Sequence, residues 1–311
     1  MIDFRYFLIS VIAVFLAMGV GIVMGSGLIG GEVVEGLQGQ ARGLFDRNDE
    51  LERQILELED EEDHLQDVLA SIEPMLVDNT LVGSQVVVVE VDGTDGELID
   101  AIRQVVEEAD GNVVSVVSFT DKFALADSEE IEELQEIAGA ESANADVLRA
   151  DVGRQIGALA GVAAGARSDD RGRLAPQGSQ EMLESLRDAD YVTIESDQDR
   201  AVPIGASFVI AGGSPSDIPF PAVDMIESMA LALDELGRSV IVAETSDSTW
   251  ELTADLRGDD ELVAAVSTVD NAETVPGRIS VALGLNNLAS DPAFHAGTDG
   301  GATVPIPTPS P

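Results

Sequence analysis

The hydrophobic pattern changes period three times along the chain. Residues 6–31 form a run without a single charge, bounded by Arg5 and Glu32. At 1.5 Å per residue, about 26 helical residues reach about 39 Å, more than the ~30 Å hydrocarbon core of a bilayer. The run is predicted to be one transmembrane anchor over residues 1–31. A secretory signal peptide competes with that reading, since Gly25-Ser26-Gly27 offers small residues near a cleavage point. Its apolar region is usually only about 7–15 residues, which favours an uncleaved anchor. Ala13, Ala17, Gly21 and Gly25 recur every four residues and share one helix face. Such a stripe lets two membrane helices approach closely, although small residues are also simply tolerated there. Gly25-Ser26-Gly27-Leu28-Ile29-Gly30 matches a dinucleotide-binding spacing but follows no strand, so it carries no cofactor expectation.

Beyond Glu32 the apolar period becomes seven. With Val34 at position a, the a residues are Val34, Ala41, Asn48, Ile55, Glu62, Leu69 and Leu76. The d residues are Leu37, Leu44, Leu51, Leu58, Leu65 and Ile72. Leucine at d with a lone Asn48 at a is the pattern of a parallel two-stranded coil whose register the Asn fixes. An in-register parallel pair sets Arg47 against Glu52, Gln54 against Glu59, Glu61 against Gln66 and Val68 against Glu73, so no like charges face each other. Glu62 at an a position weakens the coil locally. The alternative is one long amphipathic helix folding back on its own domain. The predicted stalk spans 32–78, ends at Pro74 and Asp78-Asn79, and makes a homodimer through Asn48, Leu51, Ile55, Leu58, Leu65 and Leu69, with Arg47 and Glu52 pairing at its flank.

From residue 79 strands alternate with helices. Val86-Val87-Val88-Val89-Glu90-Val91 reads as a buried strand, followed by the turn Asp92-Gly93-Thr94-Asp95-Gly96 and a helix to Ala109. Further strands are expected at 112–119, 191–195, 208–211, 239–243 and 278–285. Helices are expected at 127–137, 143–165, 179–188, 222–236 and 260–265, with a loop over 167–177. This is an α/β arrangement over 79–290, a mostly parallel sheet with helices on both faces. Residues 291–311, rich in Pro, Gly and Thr, are expected to form a disordered tail.

Composition narrows the chemistry. The 311 residues carry 59 Asp plus Glu against 16 Lys plus Arg, a net charge of −43. Such a chain is repelled by phosphate backbones, so nucleic acid is not an expected partner. At 45% apolar residues it is no disordered acidic chain. The scarcity of lysine, with Lys122 alone, fits a protein working at high salt, where screening blunts self-repulsion. No cysteine is present, which removes disulfides, thiolate sites and Cys nucleophiles. Of the two histidines, His64 lies on the coil and His295 in the tail, so no Ser-His-Asp constellation forms inside the domain, and no enzyme is expected. The loops at 92–95 and 212–214 stand where α/β sheets usually bind ligands, yet turn chemistry accounts for both. Met225 and Met229 share a helix face, a pattern of core packing rather than of a soft-metal site. No cofactor is expected. One arginine, Arg5, favours a cytoplasmic N-terminus, with the bulk of the chain outside the cytoplasm.

Two blocks carry a family resemblance. Residues 7–27, running through Ile12-Ala13-Val14-Phe15-Leu16-Ala17-Met18-Gly19-Val20-Gly21, resemble the opening of the mycobacterial copper transport protein B (MctB) family. Ser267-Thr268-Val269-Asp270-Asn271 with Pro276-Gly277-Arg278-Ile279-Ser280-Val281-Ala282-Leu283 is similar to that family's C-terminal signature. The resemblance implies an actinobacterial cell-envelope protein that limits intracellular copper and takes part in copper transport or efflux. Similar proteins are linked to septal cell-wall assembly with an envelope partner, which implies, as the alternative, a scaffold that recruits or regulates such a partner. Copper enters through the resemblance alone; the residues name no metal site. For the stalk, Asn48→Leu is expected to shift the oligomer distribution of a 32–78 fragment measured by sedimentation, and a monomeric unsubstituted fragment at physiological salt would contradict the coil.

Overall fold

A computed structural model describes residues 4–28, 30–163, 176–196, 202–287, 293–298, 301–304 and 306–307. Side chains at 4, 5, 25–46, 59, 62, 63 and 176–180 lie outside the description, as does most of the predicted 167–177 loop. The chain divides into residues 1–67 and 68–311.

The first unit is helical. Helix α1 covers Phe4–Leu28, and α2, Gly30–Val77, begins in this unit. Within α1, Tyr6–Met24 is long and apolar enough to cross a membrane, and none of it is buried.

The second unit starts with the end of α2. Pro74 does not stop the helix, which continues to Val77; Asn79, at φ 60°, turns the chain in the left-handed region. The strands and helices then follow as β1 (Gln85–Val91), α3 (Gly96–Glu108), β2 (Asn112–Phe119), α4 (Ser128–Ala138), α5 (Ala145–Ala163) and α6 (Pro176–Asp188). Next come β3 (Val192–Ser196), β4 (Ser207–Gly212), α7 (Val223–Glu235), β5 (Val240–Glu244), α8 (Leu252–Gly258), α9 (Leu262–Ala265), β6 (Ser267–Val269), α10 (Val275–Asn287) and β7 (His295–Ala296).

One sheet runs β3-β2-β1-β4-β5-β6-β7, parallel except for β3, which pairs antiparallel with β2. The mostly parallel sheet with helices is the expected one. Strand alternation feeds two cores. Val87, Val89, Phe208, Ile210, Val240 and Val242 face one side, where α5 and α7 pack; Val86, Val88, Val209, Ala211, Ile241 and Ala243 face the other, with α3 and α10. Because both faces are covered, β1 reads as an unbroken valine run rather than an alternating one. The small residues of α5 have a specific use: a Cβ on Gly153 would stand 2.2 Å from Met225 O, and on Gly157 2.4 Å from Met229 O, so α5 and α7 touch backbone to backbone.

Two expectations are corrected. The segment 278–285 is not a strand but lies in α10. Ile279, Val281, Leu283 and Leu285 alternate like a strand, yet Ser280, Ala282 and Gly284 between them are buried too. A helix buried all round shows no amphipathic period. Its start was nevertheless written in the sequence, since Thr274 Oγ1 accepts the Gly277 N–H at 3.2 Å and Pro276 sits in the first turn. The true strand is the short β6 just before it. The tail is also corrected. Its described residues return to the sheet, with β7 parallel to β6 and Ala296 bridging Val304, and Phe294 and Ile306 join the second core. β6 would otherwise be an open edge, and the tail supplies its missing partner.

The junction of α2 with the domain rests on one ion pair. Glu73, its side chain 3% exposed, receives Arg278 Nε at 2.8 Å and Nη2 at 2.6 Å, while Arg278 Nη1 donates to Glu273 O at 2.9 Å. Val77 is buried beside it and Leu69 packs half-buried against the same core. Removing one partner strands a buried charge. Arg278→Met in the full chain is expected to lose about 3–5 kcal/mol by thermal melting, and the pair Glu73→Leu with Arg278→Met to recover most of it.

Candidate functional site

Among the described residues, the apolar side chains of the predicted coil face of α2 are exposed from Leu51 to Leu65. Leu51, Ile55, Leu58 and Leu65 are all at least half exposed. Asn48 and Arg47 are exposed as well; Asn48 Nδ2 donates to Glu52 Oε1 of its own helix at 2.7 Å. Leu69, the next a residue, instead sits half-buried on the second core. Glu73 is likewise taken by Arg278, so the Val68–Glu73 pairing of an ideal coil is not available at this end. On α1, Ala13, Ala17 and Gly21 are exposed on one face, and a Cβ on Gly21 would meet nothing within 4 Å. The side of Gly25 lies outside the described residues.

Strand order reverses between β1 and β4, the usual ligand crevice of such sheets. Here the crevice is spent on structure. The Asp95 N–H donates to Gly213 O at 3.0 Å, the Asp95 side chain caps α3 through Glu97 N, and Thr94 Oγ1 returns to Val91 O. Pro219 and Trp250 lie 3.8–3.9 Å from where a Cβ of Gly93 would be, and Trp250 Nε1 donates to Ser216 O at 2.7 Å. Glu244, at the end of β5, accepts from Ser248 Oγ, Leu252 N, Thr253 N and Thr253 Oγ1, and thereby caps α8. An open cavity of about 70 Å³ lies at the other end of β2, lined by Arg103, Ser115, Glu195 and Ser196. The sole lysine, Lys122, is held by Glu133 and Ala189 O and lies 4.5 Å over the Tyr191 ring.

His295 is not in a free tail. It is buried, and its Nε2–H donates to Val263 O at 2.9 Å. Because a carbonyl only accepts, the neutral ring then takes the Thr268 hydroxyl on Nδ1 at 2.9 Å, and Thr268 Oγ1 accepts Arg257 Nε at 2.8 Å. Arg257 is paired with Asp270, both nearly fully buried, and also donates to Ala296 O. Gly297, at φ 134°, leaves room for the Asp270 carboxylate, which a Cβ would strike. Sequence reasoning missed this network because His295 stands among Gly, Thr and Pro; the apolar pair Phe294 and Ala296 beside it was the available signal.

The described residues hold no group of three His, Cys, Asp or Glu side chains able to take a metal ion. Met182, Met225 and Met229 are buried in the first core. Thr245 Oγ1 and Asn271 Oδ1 are buried without a hydrogen-bond partner at the carboxyl ends of adjacent strands. Both are hard oxygen donors, unlike the soft sulfur and imidazole ligands that copper(I) prefers. Burial, with the Arg257 charge adding to it, lowers the His295 pKa despite the opposing Val263 contact. A folded-state pKa below the unfolded ~6.5 means that stability is complete above about pH 6.5 and falls as pH drops below it. His295→Asn is therefore expected to flatten the fall in melting temperature between pH 7 and pH 5 relative to the unsubstituted chain.

Comparison with known proteins covers all of these elements together. The family model described as "Copper transport outer membrane protein, MctB" matches residues 1–307. The proteins named Copper transporter MctB of Mycobacterium bovis and Mycobacterium tuberculosis are each 29% identical over 322 residues, covering 97% of this chain and 98% of theirs. That of Mycobacterium leprae is 29% identical over 299 residues, covering 93% and 94%. The match takes in the apolar α1, the long α2 and the domain that locks it through the 267–283 block, and with that extent of agreement the chain belongs to the MctB family.

Proposed function

We propose that this chain is a single-pass, coiled-coil homodimer of the cell envelope that serves copper transport and copper homeostasis. The observation that carries the reading is the family match across 1–307, which joins the apolar helix, the long helix and the α/β domain in one unit of descent. The fully exposed Tyr6–Met24 helix supports the membrane anchor, because roughly 19 apolar residues left in water would be strongly unfavourable. Arg5 supports a cytoplasmic N-terminus, with the bulk of the chain on the far side. The exposed leucine face of α2 supports the homodimer.

The role is non-enzymatic in this reading. His295 is engaged at both ring nitrogens, and Glu244, Asp270 and Glu73 are spent on a helix cap and two ion pairs. Copper is the cargo of the system that this chain serves. The reading assigns copper to that system and names no copper ligand in this chain.

Deletion of the gene in its host is expected to lower copper tolerance several-fold and raise cell-associated copper, measured by growth and by elemental analysis. The full chain restores both, whereas a version lacking residues 1–31 leaves the membrane fraction and restores neither. Unchanged tolerance and copper content after deletion would overturn the copper role.

A further inference from the structure

We infer that the dimer seam rotates where α2 meets its domain, leaving the a/d positions for the d/g positions Val68, Ile72 and Met75. The inference rests on the homodimer reading above and names which residues of a second copy meet there.

Within the second unit, Leu69, Glu73 and Val77 point α2 inward: Leu69 packs on the second core, Glu73 binds Arg278 and Val77 is fully buried. Outward stand Val68 at 46% exposure, Ile72 at 39%, Met75 at 80% and Leu76 at 47%. At 3.6 residues per turn, the a/d direction of Leu69, Ile72 and Leu76 lies only about 65° from the domain side of the helix. A second helix placed there would have to share Leu69 with this chain's own core. The direction of Val68, Ile72 and Met75 lies about 130° away and is clear of it. One a residue and the e residue are consumed by the domain, so a partner helix can continue along α2 only by shifting towards g.

The occupant is a second copy because of charge and continuity. The rotated stripe continues the leucines at 51, 58 and 65 without a break in sequence spacing. Its flanks become a and c, which here are Leu69, Leu76 and Ser71, and Ser71 Oγ is already satisfied by Val68 O at 2.6 Å. Between Val68 and Leu76 the seam and its flanks therefore hold no carboxylate, in a chain with a net charge of −43. Two identical acidic chains can close on that stripe without setting carboxylate against carboxylate. The unrotated seam would instead place Glu73, already bound to Arg278, at its edge.

Because the chain has no cysteine, any single one is a unique probe. Leu51→Cys, Val68→Cys, Leu69→Cys and Met75→Cys are made in the full chain, reconstituted in nanodiscs and oxidised. The expected result is dimer-sized product for positions 51, 68 and 75, at least tenfold faster than for 69. Efficient cross-linking at 51 and 69 with none at 68 and 75 would overturn the rotation while leaving the dimer standing. No cross-linking at any position, with a monomer mass, would remove the homodimer reading itself. Melting of the reduced Val68→Cys and Met75→Cys chains at the unsubstituted temperature guards against misfolding, since both side chains are exposed and touch no core.

Discussion

A carboxylate with 3% exposure sets the phase of the longest helix in the molecule. Glu73 is one of 59 acidic residues, and nearly all such groups gain more from water than from a protein interior. Its burial is sustained by a two-point guanidinium contact and not by a single hydrogen bond, the geometry in which arginine repays desolvation best. Arg278 is in turn aimed by its third contact, the Glu273 carbonyl, and by the position of α10. That position needs Gly277, where any Cβ would fall 1.9 Å from Asn271 O. A backbone approach beside the sheet edge thus fixes an arginine, the arginine fixes a glutamate, and the glutamate decides which face of the last turns of α2 is left apolar and outward.

Much of this was legible where a segment's pattern had one reading. The valine run 86–91 allowed only a strand covered on both sides. Asp127 before Ser128-Glu129-Glu130 announced a helix start, and its side chain accepts both Glu129 N and Glu130 N. The turn residues after β1 were read as turn chemistry and serve as such. The α2 stripe was legible as a heptad, but its end was not, because only the fold reveals that Leu69 and Glu73 face the domain. The reading from residue 278 onward failed for a related reason. A fully buried helix and a fully buried strand both read as continuous apolar sequence, and α10 was assigned the wrong one. With a strand placed there, nothing asked the tail for a seventh, and His295 was left outside a core in which it is hydrogen-bonded twice.

The acidity then constrains assembly more than catalysis. The domain's inward-facing charges are matched within the chain: Arg257 with Asp270, Arg278 with Glu73, and Arg149 with Asp146 and Phe123 O. Such pairs hold the fold and leave few buried charges for a substrate. Apart from Glu244, buried as the cap of α8, most of the other described carboxylates lie outward, where salt screens them and where they oppose any approach of a like surface. A second copy of the chain could therefore approach only where carboxylates are missing. Among the described residues, two long helical stretches expose apolar side chains in rows: Tyr6–Met24, and the outward stripe of α2. The first suits lipid and the second a helix of the same kind. Inside the domain, Met225 and Met229 of α7 are packed into the first core, and the His295 imidazole has both ring nitrogens engaged, by the Thr268 hydroxyl and by Val263 O.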